Sequence, residues 1–359
     1  YYRLELSIMK KRRLLYLTGA SFRAPTAQLI HVLKMCAGLS EFYDVDLFVF
    51  DKNRDIKLSS YSLGREPNIL SFNRKKISVS LQLFYVLIVQ VIKTRYQAVI
   101  TRNVVVAFLC SLLRIKFIYE THDAFRGALK NIFESRVLKS KSLLQFVVIS
   151  ERLALDYQDL FDCHPIVCHD AADVYEFPIP IRDSVKNIFY VGSLYAGRGI
   201  EIIEGLSVLN KDLDFHIYGG DRSFSEGNIH YHGYVSQSDI QKAVVHADVL
   251  LMPYQSKLET ANGGIDTARW MSPMKMFEYM SFGLPIISSD LSILKEVLTS
   301  ENALFADPPV LKSWNDALTS LREDSSLRAS LGANAKQAHR NHYTWSRRAE
   351  IFHGFIDAS

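Results

Sequence analysis

Short apolar runs alternate along this chain with longer stretches in which apolar residues recur at helical spacing. Residues 14–17 read as a buried strand, 18–21 as a turn, and 24–39 as a helix with Leu29, Leu33 and Cys36 on one side. Strands are predicted next at 45–50, 98–101, 117–119, 146–150 and 165–167. Helices are predicted at 77–93, 104–113 and from 151 onward. Residues 51–76 are polar and irregular, and 134–141 form a mixed-charge, basic stretch. This strand, loop, helix, strand order opens a parallel α/β domain. Residues 173–183, with Pro178 and Pro180, read as a linker. The pattern then restarts, with strands at 187–191, 214–219, 249–254 and 284–288. Helices are predicted at 200–209, 238–246, 272–283, 314–321, 326–339 and 345–356, with a polar loop at 255–271.

A length of 359 residues suits two domains of ordinary size, and 48% hydrophobic with 22% charged residues excludes a disordered chain. No apolar run reaches the roughly 18–20 residues of a spanning helix. The longest, 77–92, is broken by Ser78, Ser80, Gln82 and Gln90, and its simplest role is core packing, with membrane attachment the alternative. The basic residues 10–13 lead into a strand-length run, so no secretory signal is read there. Four cysteines without regular spacing suit a reducing, cytoplasmic setting. Cys163-His164 and Cys168-His169 flank a predicted strand and fit no zinc spacing, so no metal is expected. Residues 1–172 carry 25 Lys and Arg against 15 Asp and Glu, whereas 173–359 carry 17 against 23. The basic half suits an anionic membrane or a phosphate-bearing acceptor, unless the excess is ordinary solubilising charge.

Residues 272–290 hold the sharpest candidate chemistry. Ser272 is a good helix N-cap, Pro273 suits the first helical position, and Gly283 and Pro285 end the helix. Lys275 lies near the positive end of that helix, where acidic residues are favoured. It shares a face with Glu278 three residues on. The pair is either a site for a phosphate and a sugar hydroxyl or a solvated ion pair. Gly192 to Gly199 form a glycine-rich turn whose backbone can approach a phosphate that Arg198 would hold. Gly19 follows the first strand as a lone glycine, and His122 lies just beyond a strand end, where ligands bind in open α/β sheets.

Pro273, Lys275, Glu278, Tyr279, Gly283 and Pro285 together resemble the nucleotide-sugar site of GT-B glycosyltransferases, specifically the large retaining family 4. Tyr119-Glu120-x-His122-Asp123 is similar to that family's first-domain active-site loop, and the turn at 192–199 to its glycine turn. The chain departs from the family pattern at Trp270 and Ser193, where a glutamate and an arginine are usual, at Arg198 in place of a lysine, and in lacking a Gly-Gly pair beside Gly19.

The resemblance implies two Rossmann-like domains with parallel sheets facing across a cleft. An acceptor domain would span 1–172, a linker 173–183, a nucleotide-sugar domain 184–340, and a helix at 341–359 would cross back. It also implies roles. His122, Arg198 and Lys275 serve the reaction. Gly19, Gly192, Ser193, Gly233, Tyr234, Val235, Ser272, Pro273, Met274 and Glu278 hold the donor. That donor would be a UDP-, GDP- or dTDP-sugar, used without a metal. The implied reaction is retaining transfer to a hydroxyl of a saccharide or lipid-linked saccharide. The implied setting is bacterial surface polysaccharide synthesis, in the cytoplasm near the inner membrane face, with no nucleic acid partner. A GT-B protein without catalysis and a sugar-nucleotide epimerase remain as other classes. A nicotinamide dehydrogenase does not, because no Gly-x-Gly-x-x-Gly follows either first strand.

Overall fold

A computed structural model describes residues 11–19, 26–49, 58, 63–71, 94–124, 127–176, 179–180, 182–257 and 268–358. They divide into two compact units. The first comprises Tyr1–Val148, Ala154–Cys168 and Trp345–Ser359, and the second Ile149–Leu153 and His169–Thr344. The predicted helix at 77–93, most of the irregular stretch at 51–76 and the middle of the loop at 255–271 lie outside the described residues.

In the first unit the strands are β1 (Arg13–Leu17), β2 (Asp44–Val49), β3 (Asn68–Ser71), β4 (Val99–Thr101), β5 (Phe117–Thr121), β6 (Leu143–Val148) and β7 (Ile166–Val167). They form one parallel sheet in the order β3-β2-β1-β4-β5-β6-β7. Leu14 to Leu17 are fully buried, as expected of a strand covered on both faces by helices. The helices are α1 (Ala27–Leu39), α2 (Val104–Leu113), α3 (Ala128–Leu138), α4 (Glu151–Phe161) and, at the end of the chain, α10 (Trp345–Asp357). Thr26 caps α1 by accepting from the Leu29 amide. Gly38 lets α1 and α10 approach closely, because a Cβ there would lie 2.9 Å from the Trp345 carbonyl oxygen.

The second unit repeats the plan. Its strands are β8 (Asn187–Val191), β9 (Asp214–Tyr218), β10 (Ser223–Glu226), β11 (Ile229–Gly233), β12 (Val249–Met252), β13 (Ile286–Ser289) and β14 (Leu304–Ala306). Their order is β10-β11-β9-β8-β12-β13-β14, parallel except for β10 at the edge. Its helices are α5 (Ile200–Leu209), α6 (Gln237–Ala243), α7 (Met274–Phe282), α8 (Leu311–Glu323) and α9 (Ser325–His342). Two apolar layers pack its sheet, one around Phe277, Met280 and Leu294, the other around Phe215, Trp314 and Leu318.

Elements absent from the hydrophobic pattern are β3, β10, β11, β14 and α3. The β10 strand is exposed along its whole length and β14 has only three residues, so neither carries a buried apolar run. In α3 the apolar Leu129 and Ile132 face solvent, which hides the helical period. Strand order reverses beside β1 in the first unit and beside β8 in the second. By the general rule for open α/β sheets, ligand sites lie at the carboxyl ends of those strands.

Histidines inside the second unit give the fold a pH signature. His216 on β9 stacks at 4.9 Å on His230 and 5.3 Å on His232, both from β11. Burial, with the neighbouring histidines, pushes His216 down to about 4, and burial does the same to His339 in α9. Both are neutral in the native state and titrate near 6.5 when unfolded. Their protonation therefore favours the unfolded chain as pH falls from 6.5 to about 4, and costs nothing above 6.5. Thermal melting should drop across that window, and His339→Leu should shrink the drop. An identical profile in the variant would contradict this reading.

Candidate active site

Two polar clusters lie at strand carboxyl ends, one in each unit. In the second unit β8 runs into Gly192. The Gly192 amide donates to the Tyr218 carbonyl at 2.8 Å, and the Gly219 amide to the Gly233 carbonyl at 2.7 Å, so the ends of β8, β9 and β11 are tied into one floor. Gly199 starts α5 in the left-handed region at φ +75°, and a Cβ there would lie 1.8 Å from the Pro253 carbonyl oxygen. Glycine alone fits, and the Gln255 amide bonds the Gly197 carbonyl at 2.8 Å, fixing this turn against the end of β12.

The helix α7 starts at Met274, one residue later than expected. Pro273 is its cap, with no side-chain hydrogen bond. The Ser272 hydroxyl is turned away and accepts from the Asp170 amide at 2.9 Å. The first amides of α7 therefore have no capping side chain. Gly283 ends the helix in the left-handed region, as expected.

Lys275 points from this helix start to the β8 turn. Its Nζ lies 3.1 Å from where a Gly192 Cβ would be, and sits over the rings of Tyr190 at 4.0 Å, Tyr254 at 4.6 Å and Tyr279 at 5.9 Å. The ammonium is shielded from water and has no hydrogen-bond partner. Arg198 sits with its guanidinium 5.1 Å from the Tyr254 ring, and its buried Nε also lacks a partner. Among the described residues neither cation pairs with a carboxylate. This corrects the reading of Lys275 and Glu278 as a solvated ion pair: Gln237 donates to Glu278 instead, at 3.4 Å. Burial, then the charge of Arg198, holds the Lys275 ammonium well below its usual range, against a smaller opposing effect of Glu278. Each ring contributes about 0.5–2 kcal/mol, whereas withdrawing an ammonium from water costs several kcal/mol. Together the three rings supply roughly 1.5–6 kcal/mol, of the same order as that cost, and the charge of Arg198 adds to the cost. An anion bound here would relieve both.

The structure thus brings together Gly192, Ser193, Arg198, Met274, Lys275 and Glu278. Ser193 accepts through its carbonyl from the Tyr190 hydroxyl at 2.7 Å. Gly233 is joined to this floor through Gly219, with Tyr234 exposed beyond it and Val235 packed on the core. Tyr190, Tyr254 and Tyr279 escaped the sequence reading as parts of a cation enclosure. Only Tyr279 lay within a motif, and its hydroxyl accepts from the Val191 amide at 2.7 Å.

In the first unit β1 leads to Gly19, whose Cβ position lies 3.9 Å from Asn103 Nδ2. The β5 strand leads through buried Glu120 to His122. Glu120 accepts from His122 Nε2, lies 3.3 Å from His31 Nε2, and pairs with Arg348 of α10 at 3.2 Å. Burial alone would raise the Glu120 carboxyl, but Arg348, His31 and His122 outweigh it and hold it well below the usual carboxylate range. His31 also meets His122 edge to face at 5.0 Å. The imidazole of His122 is thereby fixed with its Nε2–H toward the carboxylate, and the side chain remains 18% exposed. A cavity of about 330 Å³ beside it is lined by Gln28, Arg102, Asn103, Thr121, His122 and Lys130, among others. In the Cys163 to His169 segment, Cys168 donates its amide to the Val148 carbonyl, and His169 Nδ1 meets the Ile149 carbonyl at 2.9 Å.

Removing Arg348 leaves the Glu120 carboxylate buried beside two histidines. Arg348→Met should cost about 3–5 kcal/mol in urea unfolding. Adding Glu120→Gln should recover part of that loss. Additive losses in the double variant would show that the charges are not coupled.

Residues 200–354 match a family model described as glycosyl transferase-like. No curated protein sequence matches the chain. Solved structures match over nearly all of it. A glycosyltransferase from Rickettsia africae ESF-5 has a TM-score of 0.74 at 12% identity, over 97% of this chain and 98% of that one. HepE from Anabaena, solved with UDP, has a TM-score of 0.73 at 12% identity, over 97% and 100%. Sucrose-phosphate synthase from Thermosynechococcus elongatus has a TM-score of 0.68 at 15% identity, over 97% and 100%.

Proposed function

We propose that this chain, a glycosyltransferase of the GT-B type, moves a sugar from a nucleoside diphosphate sugar to a hydroxyl of a saccharide, with retention of anomeric configuration. The observation that carries the reading is a pair of cations, the buried ammonium of Lys275 and Arg198 with its buried Nε, neither paired with a carboxylate among the described residues, beside an uncapped helix start. A diphosphate supplies what that arrangement lacks. To Glu278, part-exposed on the same helix, we give the ribose hydroxyl, and to the backbone from Gly233 to Val235 the base. We favour UDP because HepE is solved with UDP and with UDP-glucose.

In this reading the bond from the sugar's anomeric carbon to the diphosphate oxygen breaks as the acceptor oxygen attacks from the same face. The departing diphosphate takes up the charge, which Lys275, Arg198 and the first amides of α7 stabilise. The acceptor's proton passes to a donor phosphate oxygen. These protein groups stabilise the leaving group without calling on a metal. To His122 of the first unit, oriented by Glu120, we give the role of bonding the transferred sugar. The acceptor we propose is a saccharide or lipid-linked saccharide of a bacterial surface polysaccharide, reached from the cytoplasm. Among the described residues no helix is long and apolar enough to cross a membrane.

Lys275→Met and Arg198→Gln should each weaken UDP binding by about tenfold or more, as expected for loss of a charged hydrogen bond, with melting preserved. Calorimetry checks this, and unchanged affinity would remove the cation from the donor site. His122→Ala should lower transfer by about a hundredfold while moving UDP affinity less than about twofold. Full transfer by that variant would place the reaction elsewhere.

A further inference from the structure

The cavity beside His122 contains a cation that the donor reading leaves unused. Arg102 follows directly on β4, beside β1, where the strand order of the first sheet reverses. Its Nη1 is buried and has no hydrogen-bond partner. Among the described residues no carboxylate pairs with it. Its neighbours are otherwise satisfied. Lys130, the second cation lining the cavity, is held by Asp123 at 2.8 Å. Asn103 spends its Oδ1 on the amides of Val105 and Val106, at 2.9 and 3.2 Å, and its own amide on Thr101 Oγ1 at 3.0 Å. A buried guanidinium nitrogen without an acceptor, at a strand-reversal point and lining a cavity, is suited to an oxyanion. A volume of about 330 Å³ is at the small end of the range for small-molecule pockets, enough for one sugar ring but not for a nucleotide sugar.

We infer that the acceptor sugar carries an oxyanion, a carboxylate or a phosphate, that seats on Arg102 in this cavity. The inference deepens the transferase reading and rests on it for calling the ligand an acceptor. Guanidinium recognition of either oxyanion is charge-assisted and has the same planar geometry.

The test is ligand-observed NMR titration of the full chain with glucuronate, glucose 6-phosphate, glucose and inorganic phosphate at fixed ionic strength. At least one anionic sugar should bind about tenfold more tightly than glucose, in keeping with one charged hydrogen bond. It should also bind more tightly than phosphate alone, and the anionic sugar that wins identifies the oxyanion. Arg102→Gln, checked for unaltered melting, should abolish the preference. Equal binding of glucose, binding of inorganic phosphate as strong as that of the sugar phosphate, no sugar binding, or a preference that survives in Arg102→Gln would each overturn the inference. Should the variant fail to fold, the wild-type comparison decides alone. UDP binding by the wild type, measured in parallel, separates the two claims. If UDP binds and no preference is seen, only the acceptor inference falls. If the preference holds and UDP does not bind, the donor reading falls instead.

Discussion

A buried ammonium without a counter-ion is the constraint on which the second unit depends. Lys275 is held among Tyr190, Tyr254 and Tyr279, with Arg198 close enough to repel it. Cation–π contact with three rings offsets much of the lost hydration, and the repulsion from Arg198 adds to what remains. Such a group persists because the rest of the fold fixes both sides of it. The start of α7 is held by the core around Phe277 and Met280, and the facing turn by the contact of Gly199 with Pro253. An oxyanion held by Lys275 and Arg198 would relieve that cost.

The first unit solves a related problem in the opposite way. Glu120 is as buried as the Lys275 ammonium, but it is surrounded by Arg348, His31 and His122. A fully paired buried charge contributes orientation more than stability. Here the orientation is that of His122, and the pairing draws on α10, more than two hundred residues later in the chain. The C-terminal helix is thereby part of the chemistry of the unit to which it belongs.

Much of this was legible in the sequence, for identifiable reasons. Strands such as β1 and β12 announced themselves because both faces are buried, so they read as unbroken apolar runs. Lys275 stood out because it violates the dipole preference of its helix. What stayed hidden depends on contacts between distant segments. Tyr190 and Tyr254 look like ordinary strand aromatics until the turn brings them around Lys275. Ser272 has the right chemistry for an N-cap, but the amide of Asp170, a hundred residues earlier, competes for its hydroxyl. Arg102 carried no signal, since a strand-end arginine is common and only its missing partner is informative. The exposed β10 and the short β14 lack the buried faces on which periodicity depends.

The most direct measurement is a crystal structure of the wild-type chain with UDP. The account predicts diphosphate oxygens within hydrogen-bond distance of Lys275 Nζ and the Arg198 guanidinium, with the first amides of α7 directed at the same group. UDP bound elsewhere, with Lys275 still enclosed by its three tyrosines and no anion against it, would contradict it.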